Sequence, residues 1–451
     1  MQSRRRPLAP FFLLALAVGL SGCGSSEPEA SATASQPLEP GALEVLRRVD
    51  HVGDLAYEPM VLQHPDGALF VNGFGRDPDP DAVPQLWRSD DDGQSWQRLD
   101  VGDAADGATG NSDPDLAAAV DGTLYSIHLG WDSATQRGTH IAVGASQDLG
   151  ESWTWTRLSE GYEEDRPWVG AAPGGVAHAI WNDNRGGVRH SVTRDYGSSW
   201  SDAVQIQEVG GSSHLAVGPS GELAVRVTPL SWGGYRFDEG VELILVSTDE
   251  GATWMQREAP GTRVWIADAD RTPQTDLIDR WAEPLAWDDA GGLYSLWSEG
   301  RSVWLARSGD LGASWQSEKI VEGKRDLFYP YLDAGGEGEL AALWLLGRSE
   351  LATEELQIQV ARIDWPAGTE PPEVRTAEPF EGDTWQGAEK QQRTVGGDYL
   401  PVALLNDGSL GAVTPIIDPA QERFGFTYWH FGLASSRESG SVGSESSGPE
   451  D

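Results

Sequence analysis

Cysteine is all but absent: Cys23 is the single example in 451 residues. One thiol cannot close a disulfide within the chain, and no Cys-ligated zinc site can be assembled around it. Stability must therefore come from a large core, which a chain of this length with 20 Trp can build. Positive charge is scarce as well. Lys and Arg number 32 against 71 Asp and Glu, a formal net charge of −39. Phosphate binding needs a basic face, so the balance excludes nucleic acid and disfavours adhesion of the protein body to anionic lipid. It suits a solvated acidic surface that keeps an exported protein soluble. Amphipathic helical periodicity is also missing, and the apolar run over residues 8–20 is too short to span a bilayer.

That run has a positional meaning. Arg4, Arg5 and Arg6 precede it, and Leu20-Ser21-Gly22-Cys23 closes it. Basic, apolar and small-residue segments in this order read as an export signal over 1–22. The four closing residues resemble a bacterial lipobox, which implies acylation of Cys23 and a firm attachment to the bilayer. Gly24 follows, with no Asp there to mark inner-membrane retention, so the expected location is the outer membrane of the cell envelope. Residues 23–40 form a Ser/Ala/Pro/Glu-rich tether, and 434–451 a disordered acidic, Ser/Gly-rich tail.

Between them, over 41–433, short apolar strands alternate with Gly, Pro, Asn and Asp turns. Five segments share Ser/Thr-x-Asp-x-Gly-x-Ser/Thr-Trp. Their Asp and Trp positions are Asp91 and Trp96, Asp148 and Trp153, Asp195 and Trp200, Asp249 and Trp254, and Asp310 and Trp315. The motif returns every roughly 50–60 residues, the period of a four-stranded propeller blade. Its chemistry is that of a hairpin tip: Asp binds the amides of its own turn, Gly takes positive φ and Trp packs underneath. A second repeat places a Gly turn before an apolar strand at Gly67, Gly122, Gly175, Gly221, Gly292, Gly338 and Gly408. These seven units predict an all-β propeller of seven four-stranded blades, with six as the alternative. The last unit has strands near 399–405, 410–416 and 424–431, and residues 42–49 supply its fourth, closing the ring.

The Asp repeats are structural in this reading. Asp90-Asp91-Asp92-Gly93 begins like a calcium loop but lacks the later ligands, so no metal or other cofactor is expected. Ligand chemistry is expected instead where the loops entering each innermost strand converge on the axis. Those loops carry Tyr57 and Glu58; Asp113 and Asp115; Asp165, Arg166 and Trp168; His214; Trp281 and Glu283; Tyr329 and Tyr331; and Asp398 and Tyr399. The loops after the second strands share that face and add Arg76, Asp183, Arg185, Arg236, Glu299, Arg301 and Arg348. Carboxylates, arginines and aromatics around one funnel suit a sugar, or else bond one another and hold the channel together.

The Asp repeats, called Asp-boxes or bacterial neuraminidase repeats, resemble those of the sialidase superfamily, as do the propeller pattern and Asp165-Arg166-Pro167-Trp168. The resemblance covers about 42–432. It implies an exo-glycosidase with an arginine triad for the substrate carboxylate, a Tyr nucleophile assisted by Glu, and an Asp acid/base. Tyr329, Glu299, Asp165, Arg166, Arg185 and Arg301 are the residues that could fill those roles. Where the family carries Phe/Tyr-Arg-Ile-Pro, however, this chain has Tyr57-Glu58-Pro59, and a glutamate there repels an anionic substrate. Asp-boxes also occur in sortilin ectodomains, photosystem assembly factors and xyloglucan-active hydrolases, so the repeat speaks to fold more than to reaction. The favoured expectation is a monomeric, envelope-anchored propeller that binds a glycan or protein ligand in the funnel. The alternatives are an exo-acting glycoside hydrolase and, third, an assembly scaffold.

Overall fold

The computed structural model describes residues 41–434, apart from 55, 76, 184–186, 209–211, 229, 232–235, 238–239, 263, 266–282, 325, 348–356, 369–370, 378–398 and 419–422. Cys23, Arg76, Arg185, Trp281, Arg348 and Asp398 lie outside the described residues.

The Gly turns expected from the repeat join the first two strands of each unit. Gly67, Gly122, Gly221 and Gly408 have φ of 95°, 92°, 89° and 80°, a left-handed conformation that suits a residue without Cβ. The chain thereby folds back on itself in antiparallel hairpins. The only helical element among the described residues is a 3-10 turn, Ala104–Asp106, capped by Asp103.

The hairpins extend into five four-stranded antiparallel sheets. The first four comprise Tyr57–Gln63, Leu69–Phe74, Gln85–Ser89 and Gln97–Arg98; Ser212–Val217, Leu223–Thr228, Leu243–Ser247 and Met255–Glu258; Leu285–Trp287, Leu293–Glu299, Ser302–Ser308 and Gln316–Glu322; and Asp326–Ala334, Glu339–Gly347, Gln357–Asp364 and Glu373–Thr376. The fifth joins Val402–Leu404, Leu410–Asp418 and Arg423–Leu433 to the N-terminal strand Leu43–Val52. A further seven-stranded sheet contains Ser112–Ala118, Leu124–Asp132, Arg137–Ser146, Thr154–Ala172, Val176–Asp183, Gly187–Thr193 and Val204–Gln207. Within it the long strand Thr154–Ala172 pairs first with Arg137–Ser146 and then, from Glu164 onward, with Val176–Asp183. The sheets form a β-propeller, with apolar faces packed sheet on sheet and Trp87, Trp181, Trp344 and Trp365 fully buried between them.

The five repeated Asp segments are hairpin tips with one hydrogen-bond pattern. Ser89 Oγ donates to Asp91 Oδ1 at 2.8 Å and accepts the Gly93 amide at 2.9 Å, while Asp91 accepts Ser95 N and Ser95 Oγ at 2.8 and 2.7 Å. The tips at Asp148, Asp195, Asp249 and Asp310 repeat these bonds. Hydrogen bonds from the second Ser or Thr hold all five carboxyls below the usual range.

Four of the tips also lean on strands earlier in the ring. A Cβ on Gly93 would strike Tyr428, one on Gly150 Leu99, one on Gly197 Ala145, and one on Gly251 His190. The motif tryptophans follow: Trp96 packs on Phe426 and Tyr428 with centroids 5.3 and 5.4 Å away, and Trp254 packs edge-on to His190 at 5.6 Å. The repeat therefore works as a clasp between successive sheets.

Gly251 combines a φ of 79° with this close approach. Gly251→Ala should destabilise the protein by about 2 kcal/mol or more, from left-handed strain plus overpacking against His190. Chemical denaturation checks this, and an unchanged midpoint would refute the clasp.

Candidate functional site at the entrance face

Four inner strands begin with the same irregularity. Glu58, Asp113, Arg166 and Tyr329 each precede a proline and each has left-handed φ, at 44°, 41°, 46° and 49°. Proline cannot donate to the ladder, so pairing skips there. The register shifts between Tyr57 and Met60, Ser112 and Asp115, and Phe328 and Tyr331, and opposite Arg166 it shifts between Ile180 and Asn182. These are β-bulges, which re-aim a side chain at the end of a strand. A non-glycine residue at positive φ is strained by roughly 1–2 kcal/mol, and a residue before proline prefers extended backbone. Strain of this kind concentrates at ligand sites.

Two of the bulges are tied to one another. Asp113 Oδ2 accepts the Arg166 amide at 3.2 Å, and Asp113 Oδ1 accepts Ser112 Oγ at 2.9 Å. The Arg166 guanidinium stands 3.8 Å from Asp165, with both side chains buried. Tyr57, half-buried beside Glu58, packs on Phe74 with centroids 5.6 Å apart. The turn carrying exposed Glu299 and Arg301 is fastened to the Tyr329 strand by the Leu327 amide, which donates to Gly300 O at 2.8 Å. Arg301 contributes to the field at Glu322 on the outermost strand of its own sheet.

Other expected ligand residues serve the ring itself. Glu283 is buried with Glu242 around one guanidinium: Arg226 lies 2.9 Å from Glu242, contacts Glu283 directly and donates to Ser295 Oγ at 2.7 Å. Asp115, His214 and Asp333 act as axial latches. Each accepts an amide from the next inner strand: Asp115 from Val169 at 2.9 Å, His214 Nδ1 from Leu285 at 3.3 Å, and Asp333 from Leu404 at 2.8 Å. An inner strand leaves one backbone edge unpaired, and these side chains satisfy it. Trp168, His214, Tyr331 and Tyr399 form an aromatic plate across the axis. Trp168 lies 4.6 Å from His214 and 5.1 Å from Tyr399, and His214 lies 6.2 Å from Tyr331.

Glu164, Asp333, Arg226 and Glu242 were not expected. Glu164 is buried at the start of the third inner-strand segment, where burial first and the Asp183 charge second push its carboxyl up to about 7. Its signal in the sequence is the acidic run Glu163-Glu164-Asp165 ahead of Arg166-Pro167. Arg226 carries no local signal for this cluster, because Glu283 reaches it from far along the chain and Glu242 joins through Arg226 itself.

No family model matches the chain, and neither does any curated protein. Solved structures do. A fungal alcohol oxidase of the AA5 family, in complex with copper, is 11% identical over 86% of this chain and 76% of that one, with a TM-score of 0.51. A protein of unknown function from Dyadobacter fermentans is 13% identical over 88% of this chain and 100% of that one, with a TM-score of 0.50. The endosialidase of phage phi92 is 12% identical over 93% and 74%, with a TM-score of 0.46. At these identities the likeness concerns the fold alone, a β-propeller.

Burial pushes His128, His178 and His214 down to about 3 and His140 and His190 to about 4. An unfolded His protonates near 6.5, so the unfolded chain takes up these protons first and stability falls as pH drops from about 6.5 toward 4. Asp115 and Glu164, raised to about 7, and Asp333, raised to about 6, act in the opposite sense over the same window. Five histidines outweigh three carboxyls. The melting temperature should therefore be lower at pH 4.5 than at pH 7, and an equal or higher one would contradict the buried neutral assignment.

Proposed function

We propose that this chain is an exported, lipid-anchored propeller of seven blades that binds a glycan at its entrance face. The count of seven is supported by the seven inner strands around the axis, with the seven-stranded sheet read as two blades sharing Thr154–Ala172. The observation that carries the binding site is the fourfold recurrence of a strained, non-glycine bulge before proline. Glycine would remove the strain at each position, yet two acids, an arginine and a tyrosine stand there. Half-buried Tyr57 and Phe74 offer a stacking platform beside Glu58, and half-buried Asp113 offers a carboxylate for hydroxyls. Glu58 favours a neutral sugar over an anionic one.

One observation favours a second reading, a glycoside hydrolase. A carboxyl group held near pH 7, as Glu164 is, has the protonation that a general acid needs, and Asp165 and Asp183 are close along the chain and the ladder. Turnover of fluorogenic glycosides that is lost in Glu164→Gln would establish it. Absence of turnover in the wild-type protein would leave binding as the function.

Binding is tested on a glycan array with Glu58→Gly. Relief of strain should offset the lost side-chain contacts and keep stability within about 1 kcal/mol of wild type, while array binding falls at least about tenfold. Wild-type binding by this variant would reject the entrance face. For the anchor, Cys23→Ser should move the protein from the membrane fraction to the soluble one. Retention in the membrane would reject acylation.

A further inference from the structure

Below the aromatic plate a cavity of about 470 Å³ lies on the propeller axis, enclosed by the downstream halves of the seven inner strands. Glu58, Asp113, Arg166 and Tyr329 do not line it, so it is separate from the entrance face. Among the described residues its charged lining has one sign: Asp115, Asp289 and Asp333, with no Lys or Arg. His214 reaches the same cavity but is neutral, because burial holds it far below neutral pH. Asp115 is 5% exposed, and both it and Asp333 accept backbone amides in place of a cation. Burying carboxylates without a counter-charge is costly, and burial pushes Asp115 up to about 7 and Asp333 to about 6. Aromatic side chains Trp168, Trp287 and Tyr331 share the walls.

Carboxylates beside aromatic faces are the chemistry that recognises organic ammonium groups. A compact metal ion fits less well. Among the described residues no group of three or more His, Cys, Asp or Glu is close enough to hold one. The volume falls within the range of small-molecule pockets.

We propose that the axial cavity binds an organic polyammonium ligand, the size of a linear triamine, between Asp115, Asp289 and Asp333. Spermidine is the probe. Calorimetric titration of the full chain at physiological ionic strength should show one saturable site. Affinity should fall about tenfold in Asp333→Asn and in Asp289→Asn. The second of these alters an exposed side chain at the cavity mouth and keeps the test valid if Asp333→Asn does not fold. Asp90→Asn, on an exposed hairpin tip, should bind as wild type does. Uptake without a single stoichiometric site would overturn the proposal, since an acidic surface alone gives that. So would equal loss in Asp90→Asn, or wild-type affinity in Asp289→Asn.

Discussion

Everything in this molecule depends on the antiparallel pairing of Leu43–Val52 with Arg423–Leu433, from Leu43 opposite Leu433 to Val52 opposite Gly425. Without it the last sheet has three strands, and the ring loses the β-ladder that joins the two ends of the chain. Leu410–Asp418 and Val402–Leu404 build inward from this pair, and the Asn406 amide then reaches across to Gln63 on the first inner strand at 2.7 Å. Sequential sheets are clasped by the Asp tips at the rim and latched by Asp115, His214 and Asp333 at the axis. Closure converts these local contacts into a frame rigid enough to hold strained loops.

That frame explains why the polar entrance residues divide into two kinds. Asp115, His214 and Glu283 lie deep enough to be consumed by the ring, capping strand edges or balancing Arg226. Glu58, Asp113, Arg166 and Tyr329 sit on bulges that run against local backbone preference; Asp113 is half-buried and the other three are buried. Glycine would relieve the backbone strain at those four positions, although at Tyr329 it would also remove a buried core side chain. Their identity is better explained by what the side chains offer at the entrance face.

The periodic part of this arrangement was legible in the sequence. The Gly turns and the Asp tips are local patterns that recur with a blade's spacing, and the last unit's want of a fourth strand pointed to the N-terminal segment. The X-Pro dipeptides were visible at Glu58, Asp113, Arg166 and Tyr329, but their left-handed backbone was not, since proline alone predicts an extended predecessor. The roles of Asp115, His214 and Asp333 were hidden for a different reason. Each caps an amide of the neighbouring inner strand, 54 residues on for Asp115 and 71 for both His214 and Asp333, a relation with no local signature. Likewise Glu283 pairs with Arg226, which also holds Glu242, so an acid expected at a ligand site belongs to a buried ion cluster. Periodicity reveals blades; contacts between blades have to be seen.

The central claim is that the strained bulges are the ligand site. The most direct measurement is a crystal structure of the protein with a glycan selected on the array. The sugar should lie at the lip of the entrance face, stacked on Tyr57 or Phe74 and within hydrogen-bond distance of Asp113. A sugar bound at the blade rim or in the axial cavity, with the four bulges untouched, would contradict it.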